Sequence, residues 1–126
     1  MQNILLDTCT VIHLYQSKIK VLNLLKNYHK SQFVISVFTY GEFVAKVPLR
    51  QKNDAKKFLK DFRILPITTA FQTKLITYCS LYEVPKKQMV DFLIAATALQ
   101  QNITLITEND KDFKKYKTLQ IISYKL

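Results

Sequence analysis

The sequence predicts an α/β protein built on a central, mostly parallel sheet of about five strands. Short apolar runs alternate with longer segments of helical periodicity along the whole chain. Strands separated by helices require crossover connections, which produce parallel sheets covered by helices on both faces. At 126 residues, with no repeat, linker or low-complexity segment, the chain is expected to form a single domain over residues 1–126.

The individual elements follow from composition and spacing. The predicted strands are NILLD (3–7), FVIS (33–36), ILPI (64–67), ITLIT (103–107) and a run near LQIIS (119–123). The predicted helices cover 10–15, 18–30, 37–47, 53–62, 69–82 and 87–101, with an acidic turn at 108–113. Ser36 is placed to cap the third helix, which Pro48 ends.

Composition excludes several classes of protein. Gly41 is the only glycine, so neither a dinucleotide-binding GxGxxG loop nor a P-loop can be written. Cys9 and Cys79 form no CxxC pair, His13 and His29 lack metal-ligand or triad spacing, and no GxSxG motif exists for acyl transfer. The apolar runs are too short to cross a membrane and no leader precedes them, so we expect a cytoplasmic protein.

Four of the nine acids occupy positions that a solvated surface does not explain. Asp7 follows the first strand, Glu42 lies among apolar residues of a helix, Asp91 begins the nearly apolar stretch VDFLIAATAL, and Asp112 follows the fourth strand. Each alone has an ordinary explanation, such as a helix cap, an ion pair with Lys46 or a favourable helix dipole. Ligands of parallel sheets bind at the carboxyl ends of the strands, where all four can meet.

Carboxylates that close would repel one another strongly, and a divalent cation would offset the repulsion. Oxygen ligands alone favour Mg²⁺ or Mn²⁺ over zinc. The net charge of +10 places a basic surface around this acidic pocket, which suits a polyanion whose phosphodiester reaches a metal. Four residues are candidates for contacts with an RNA backbone: Lys46, Arg50, Lys111 and Lys114.

Two other readings of the acids fit less well. A receiver-like signalling domain would need a phosphoacceptor Asp at the end of the third strand, where the chain has Ile67 and Thr68. A D-x-D hydrolase would need an acid at position 9, which is a cysteine.

Four segments of the chain resemble the PIN-domain family, and within it the VapC-type toxins of toxin–antitoxin pairs. They are ILLDTCTVI, ISVFTYGEF, VDFLIAATALQQNITLIT and TENDKDF, and together they span nearly the full length. The resemblance implies a three-layer α/β/α fold with a PIN-like sheet. It also implies a homodimer, a cognate VapB-type antitoxin, and cleavage of RNA that depends on Mg²⁺ or Mn²⁺.

The resemblance also assigns roles to individual residues. The family's metal-binding and catalytic acids correspond to Asp7, Glu42, Asp91 and Asp112. The family's supporting polar residues correspond to Thr8, Thr107 and Asn109. Some family members have an acid where this chain has Asn109, so the neighbouring Asp110 is a second candidate for the fourth acid.

These residues predict a metal-dependent endoribonuclease in which Asp7 and Asp91 hold the principal ion. Glu42 and Asp112 would complete the cluster or position the attacking water, and Thr8 would orient a ligand or a phosphate oxygen. The alternative is a PIN-like module that binds nucleic acid without cleaving it. Such a module would bind RNA in a salt-dependent manner and would be indifferent to Mg²⁺.

Overall fold

A five-stranded parallel sheet lies at the centre of the protein, as the sequence predicts. The computed structural model describes residues 2–126. The strands are β1 (Ile4–Leu6), β2 (Phe33–Ser36), β3 (Arg63–Leu65), β4 (Thr104–Thr107) and β5 (Ile121–Ser123). Their order is β3-β2-β1-β4-β5, and every neighbouring pair is parallel. The carboxyl ends of all five strands therefore share one edge of the sheet.

Seven α-helices connect and cover the strands. They are α1 (Thr8–Tyr15), α2 (Ile19–Leu25), α3 (Val37–Lys46), α4 (Lys52–Leu59), α5 (Thr69–Leu81), α6 (Met89–Gln101) and α7 (Asp110–Phe113). Short 3₁₀ turns at 30–32, 49–51 and 86–88 precede β2, α4 and α6. The prediction of a three-layer α/β/α arrangement is confirmed.

Alternation of side chains along the buried strands divides the core into two layers. Ile4 and Leu6 face one layer, together with Phe43 of α3, and Leu5 faces the other, together with Phe92 of α6. All three strand residues are nearly fully buried. A strand buried on both faces reads as a continuous apolar run, which is why ILL carries no polar alternation.

Helix α6 buries three small side chains beside the larger Phe92 and Ile94. Ala95, Ala96 and Ala98 are almost completely buried. The helix ends at Asn102, whose φ of 54° is left-handed, a conformation that asparagine tolerates better than most residues. This arrangement holds the first turn of α6, where Asp91 lies, against the carboxyl edge of the sheet.

Several predicted boundaries need correction. The helix predicted over 18–30 ends at Leu25, and the helix predicted over 53–62 ends at Leu59. The third strand is Arg63–Leu65 rather than 64–67, since Pro66 has no amide to donate to the sheet. The predicted capping of α3 is confirmed, because the Ser36 hydroxyl accepts a hydrogen bond of 3.1 Å from the amide of Thr39.

Replacing the buried cap of α3 should destabilise the fold. Ser36→Ala removes the acceptor of the Thr39 amide and is expected to lower the free energy of unfolding by about 1 kcal/mol. Urea denaturation followed by circular dichroism measures the loss. Ser80→Ala, on the exposed side of α5, is the matched control. A loss no greater than the control's would contradict the assigned cap.

Candidate active site

The site is built around Asp7, the residue that directly follows β1. Its side chain is buried and accepts two hydrogen bonds, one on each carboxylate oxygen. The amide of Thr10 donates to Oδ1 at 2.8 Å, so Asp7 also caps α1. The hydroxyl of Thr107, at the end of the adjacent strand β4, donates to Oδ2. The pairing of β1 with β4 thus brings together two residues that lie a hundred positions apart.

Asp91 is subject to the charges of the other three predicted acids. Burial, followed by the charges of Asp112, Asp7 and Glu42, raises the pKa of its carboxyl group from 3.8 to about 6. Lys46 acts in the opposite direction. Each of the other three predicted acids therefore acts on Asp91 through its charge.

Burial also affects Asp7 itself. It raises the pKa of the Asp7 carboxyl group, while the hydrogen bonds from Thr107 and Thr10 act to lower it. A buried carboxylate is costly unless it is hydrogen-bonded, paired or bound to a metal. The two donors account for one lone pair on each oxygen and leave the others available.

Glu42 is oriented by its neighbour on α3. Lys46 lies one turn further along and its Nζ is 3.8 Å from Glu42 Oε2. The predicted ion pair is therefore present. Because Lys46 also lowers the pKa of Asp91, its ammonium group serves the acidic cluster as a whole.

The structure favours Asp112 over Asp110 as the fourth acid. Asp110 forms ion pairs with Lys125 (3.3 Å) and Lys114 (3.9 Å), and these contacts lower the pKa of Asp110. Asp112 is the first of the three carboxylates that raise the pKa of Asp91, and Asp110 is not among them. Asp110 is thus paired with lysines, whereas Asp112 acts on Asp91.

The supporting residues divide into two groups. Thr107 contacts Asp7 directly, and its Oγ1 also accepts from the amide of Asn109 at 2.9 Å, which fixes the turn before α7. The hydroxyl of Thr8 instead donates to Thr39 at 3.4 Å and links α1 to α3. A role for Thr8 toward a ligand or a phosphate oxygen stays a prediction.

The donor atoms of the four acids have the chemistry that a hard divalent cation prefers. All four acids supply oxygen ligands, and their mutual repulsion is the kind that a cation relieves. Within residues 2–126, no three His, Cys, Asp or Glu side chains are arranged so that they could hold an ion together. The other three acids thus influence Asp91 through their charges, but the side chains of residues 2–126 do not form a ligand cage.

Comparison with protein families agrees with this geometry. The chain matches the PIN domain over residues 4–119, a range that contains β1 to α7 and all four acids. The chain belongs to the PIN domain family. No curated protein shows significant sequence similarity to it.

Solved structures have the same fold as this PIN domain. A toxin–antitoxin complex from Klebsiella pneumoniae contains a chain that is 24% identical, with a TM-score of 0.80, and the match covers 98% of this chain and 100% of that chain. A chain of DNA-bound VapBC from Salmonella typhimurium is 21% identical, with a TM-score of 0.79 and 98% of each chain covered. A chain of VapBC2 from Rickettsia felis, bound to a promoter DNA fragment, is also 21% identical, with a TM-score of 0.78 and coverage of 98% and 99%. At these identities the likeness establishes the fold.

Three residues near the acids of the PIN domain were not selected from the sequence. Cys9 lies beside Asp7, and burial, followed by the charge of Asp7, raises the pKa of its thiol to about 11. His13 and Tyr124 are joined by a hydrogen bond of 2.7 Å between Nδ1 and Oη. For His13 the sequence offered one signal, its position on α1 one turn after Thr10. For Tyr124 it offered no local signal.

The four basic candidates differ in whether an acid pairs with them. Lys46 and Lys114 are engaged by Glu42 and Asp110. Arg50 and Lys111 are exposed.

No helix within residues 2–126 is both long and apolar enough to span a membrane.

Neutralising Asp91 should stabilise the metal-free PIN domain in a pH-dependent way. Its folded-state pKa of about 6 exceeds the ordinary value of 3.8, so the folded protein favours the protonated form. The carboxylate is therefore neutral in both states only well below the ordinary pKa of 3.8, and it is fully destabilising above about pH 7. Asp91→Asn in EDTA is expected to raise the melting temperature at neutral pH, and this gain should shrink as the pH falls from about 6 and disappear well below pH 3.8.

Differential scanning fluorimetry across this pH range measures the effect. Glu83→Gln, at an exposed position after α5, is the matched control and should change nothing. An Asp91→Asn variant that is less stable than wild type at neutral pH in EDTA would contradict the electrostatic account.

Proposed function

We propose that this chain is a divalent-metal-dependent endoribonuclease and the toxin of a VapBC-type toxin–antitoxin pair. The observation that carries the proposal is the shared electrostatic environment of Asp7, Glu42, Asp91 and Asp112 at the carboxyl edge of the sheet. Oxygen donors grouped in this way are suited to Mg²⁺ or Mn²⁺. The similar solved structures are described as toxin–antitoxin complexes, which supports the same role here.

Each residue of the site has a defined task in this proposal. Asp7 and Asp91 would hold the principal ion, with Asp7 kept in one orientation by its donors Thr107 and Thr10. A bound divalent cation would orient the phosphodiester, activate a water molecule and stabilise the leaving oxygen. Glu42, oriented by Lys46, and Asp112 would complete the acidic set and position the attacking water.

The charge balance supports RNA as the substrate. The chain has 19 Lys and Arg residues against nine acids, and four of those acids are gathered in one place. The remaining surface is therefore strongly basic and suits a phosphate backbone. Sequencing the 5′ ends of RNA after induced expression would identify the substrate and the position of the cut.

An antitoxin partner is supported by an apolar groove outside the acidic site. The groove has a volume of about 530 Å³ and lies between α1, α2 and α4, where Leu14, Ile19, Leu22 and Phe58 line it. Ile19 is 66% exposed, which is unusual for an isoleucine on a helix that otherwise packs on the core. Exposed apolar surface of this kind is typical of protein interfaces.

We further propose that the protein forms a homodimer. Apolar side chains on and beside α5 remain exposed in the single chain, among them Ile67, Ile76 and Leu81. A second copy that covers them would remove this surface from water. Sedimentation equilibrium of the purified protein tests the stoichiometry, and a monomer at micromolar concentration would refute it.

The nuclease assignment is tested with matched Asp→Asn variants. Asp7→Asn and Asp91→Asn should each reduce the rate of RNA cleavage by at least about 100-fold, because loss of an outer-shell partner alone costs about 10–100-fold. EDTA should abolish cleavage, and added Mg²⁺ or Mn²⁺ should restore it. Asp61→Asn, at an exposed position after α4, is the control and should retain activity.

The outcome distinguishes the nuclease from a silent binding module. A wild-type protein that binds RNA without cleaving it, with or without Mg²⁺ or Mn²⁺, would support the module. Cleavage that persists in both variants would disprove the assignment of the site.

The exposed basic residues should contribute to RNA affinity in a salt-dependent manner. Arg50→Ala and Lys111→Ala are each expected to raise KM, and to reduce the slope of log affinity against log salt by about 0.7 for a single strand. Fluorescence anisotropy with a labelled oligoribonucleotide in EDTA measures this slope. Lys20→Ala, on the exposed face of α2, is the control. An unchanged slope in both variants would remove these residues from the interface.

A further inference from the structure

A continuous chain of hydrogen bonds runs behind the acidic site. The hydroxyl of Thr10 donates to the carbonyl oxygen of Ile106 at 3.1 Å, and Tyr124 Oη donates to Thr10 Oγ1 at 3.2 Å. His13 Nδ1 lies 2.7 Å from the same Tyr124 oxygen. On the other side of the imidazole ring, Nε2 is 3.4 Å from Glu108 Oε2.

The acceptor at one end fixes the direction of every proton in this chain. A carbonyl oxygen cannot donate, so the single hydroxyl proton of Thr10 must point to Ile106. Tyr124 must then donate to Thr10, and burial raises the pKa of its phenol, which keeps that proton in place. His13 must accordingly donate from Nδ1 to Tyr124. On the other side of the ring, Nε2 contacts the Glu108 carboxylate.

Tyr124 holds both of the groups that donate to Asp7. Its hydroxyl bonds to Thr10, whose amide donates to Asp7 Oδ1. Its backbone amide donates to the carbonyl oxygen of Thr107 at 3.2 Å, and the Thr107 hydroxyl donates to Asp7 Oδ2. One residue just after β5 therefore restrains the two segments, α1 and the end of β4, between which the Asp7 carboxylate is held.

The neighbouring lysine extends this restraint to the turn before α7. Lys125 Nζ donates to the carbonyl oxygen of Glu108 at 3.1 Å and to Asp110 Oδ1 at 3.3 Å. The turn that leads to Asp112 is thus attached to the segment after β5 through Glu108 and Asp110.

We propose that Tyr124 is a positioning residue of the metal site, acting with His13 through Thr10 and Thr107 on Asp7. The inference rests on the proposed function, because it concerns the orientation of a carboxylate that the proposal assigns to an ion. Tyr124 does not contact the reacting groups. It limits the movement of Asp7, so its loss should weaken metal binding while the fold is retained.

The hydroxyl can be separated from the packing of the ring. Tyr124 also packs at the edge of the core, and its ring meets the His13 ring edge to face at 5.9 Å. Tyr124→Phe keeps these contacts and removes only the hydroxyl. Thr10→Val and Thr10→Ser form a second pair, in which valine removes the relay and serine retains it.

The experiment measures Mg²⁺ binding through the shift in melting temperature during a Mg²⁺ titration, together with kcat and KM for RNA. Tyr124→Phe and Thr10→Val should each raise the dissociation constant for Mg²⁺ about tenfold, the lower end of the range for outer-shell partners. Thr10→Ser should bind as wild type does. kcat should fall at fixed Mg²⁺, while KM for RNA stays constant.

Nitrogen-15 NMR of the imidazole gives a readout that does not depend on activity. At neutral pH, His13 in the wild type should show a protonated Nδ1, and its signals should shift in Tyr124→Phe. Tyr15→Phe is the matched control, because it removes a phenol hydrogen bond of 2.7 Å to Asp54 at the other end of α1. It should change neither the His13 signals nor the Mg²⁺ affinity.

The possible failures are distinguishable. If the wild type binds Mg²⁺ and Tyr124→Phe binds it within twofold of the same affinity, the inference about Tyr124 is wrong and the proposed function stands. If the wild type neither binds Mg²⁺ or Mn²⁺ nor cleaves RNA, the proposed function fails and the positioning role fails with it. If Thr10→Ser loses affinity as Thr10→Val does, the hydroxyl relay is not the cause.

Discussion

The burial of the Asp7 carboxylate between two adjacent parallel strands is the constraint on which the site depends. Parallel pairing of β1 with β4 places Thr107 beside Asp7, and the start of α1 supplies the second donor from Thr10. Without these donors the desolvation of the carboxylate would oppose folding. The same two bonds hold the carboxylate in one orientation at the carboxyl end of β1.

Acidic and basic residues have different environments in this protein. Burial raises the pKa of Asp91, and repulsion from Asp112, Asp7 and Glu42 adds to this rise. Basic residues either balance individual acids, as Lys46 does for Glu42, or remain exposed, as Arg50 does. The cluster is a local source of instability that folding elsewhere must offset, and active sites commonly have this property.

Much of the fold could be predicted from the sequence because each layer leaves a pattern. Buried parallel strands appear as short apolar runs, and the cap at Ser36 follows from local chemistry. Pro66 carried a local signal for the end of β3, but the prediction of a strand over 64–67 did not use it. The four acids could be selected because each follows a strand or interrupts an apolar helix. The end of α4 at Leu59 could not be predicted from the sequence, because tertiary packing decides where a helix frays.

The positions of other residues depend on contacts that no local pattern records. Asp110 forms ion pairs with Lys114 and Lys125, and only the second of these lysines is distant along the chain. Tyr124 joins α1 across 114 positions, which neither periodicity nor composition can reveal.

The distance along the chain between the bonded groups has a consequence for synthesis. Asp7 is added early in synthesis, whereas Thr107 follows a hundred positions later and Tyr124 later still. A nascent chain that lacks them has strands without their partners and a carboxylate without one of its donors. If the proposed activity is correct, the site is therefore completed only late in synthesis.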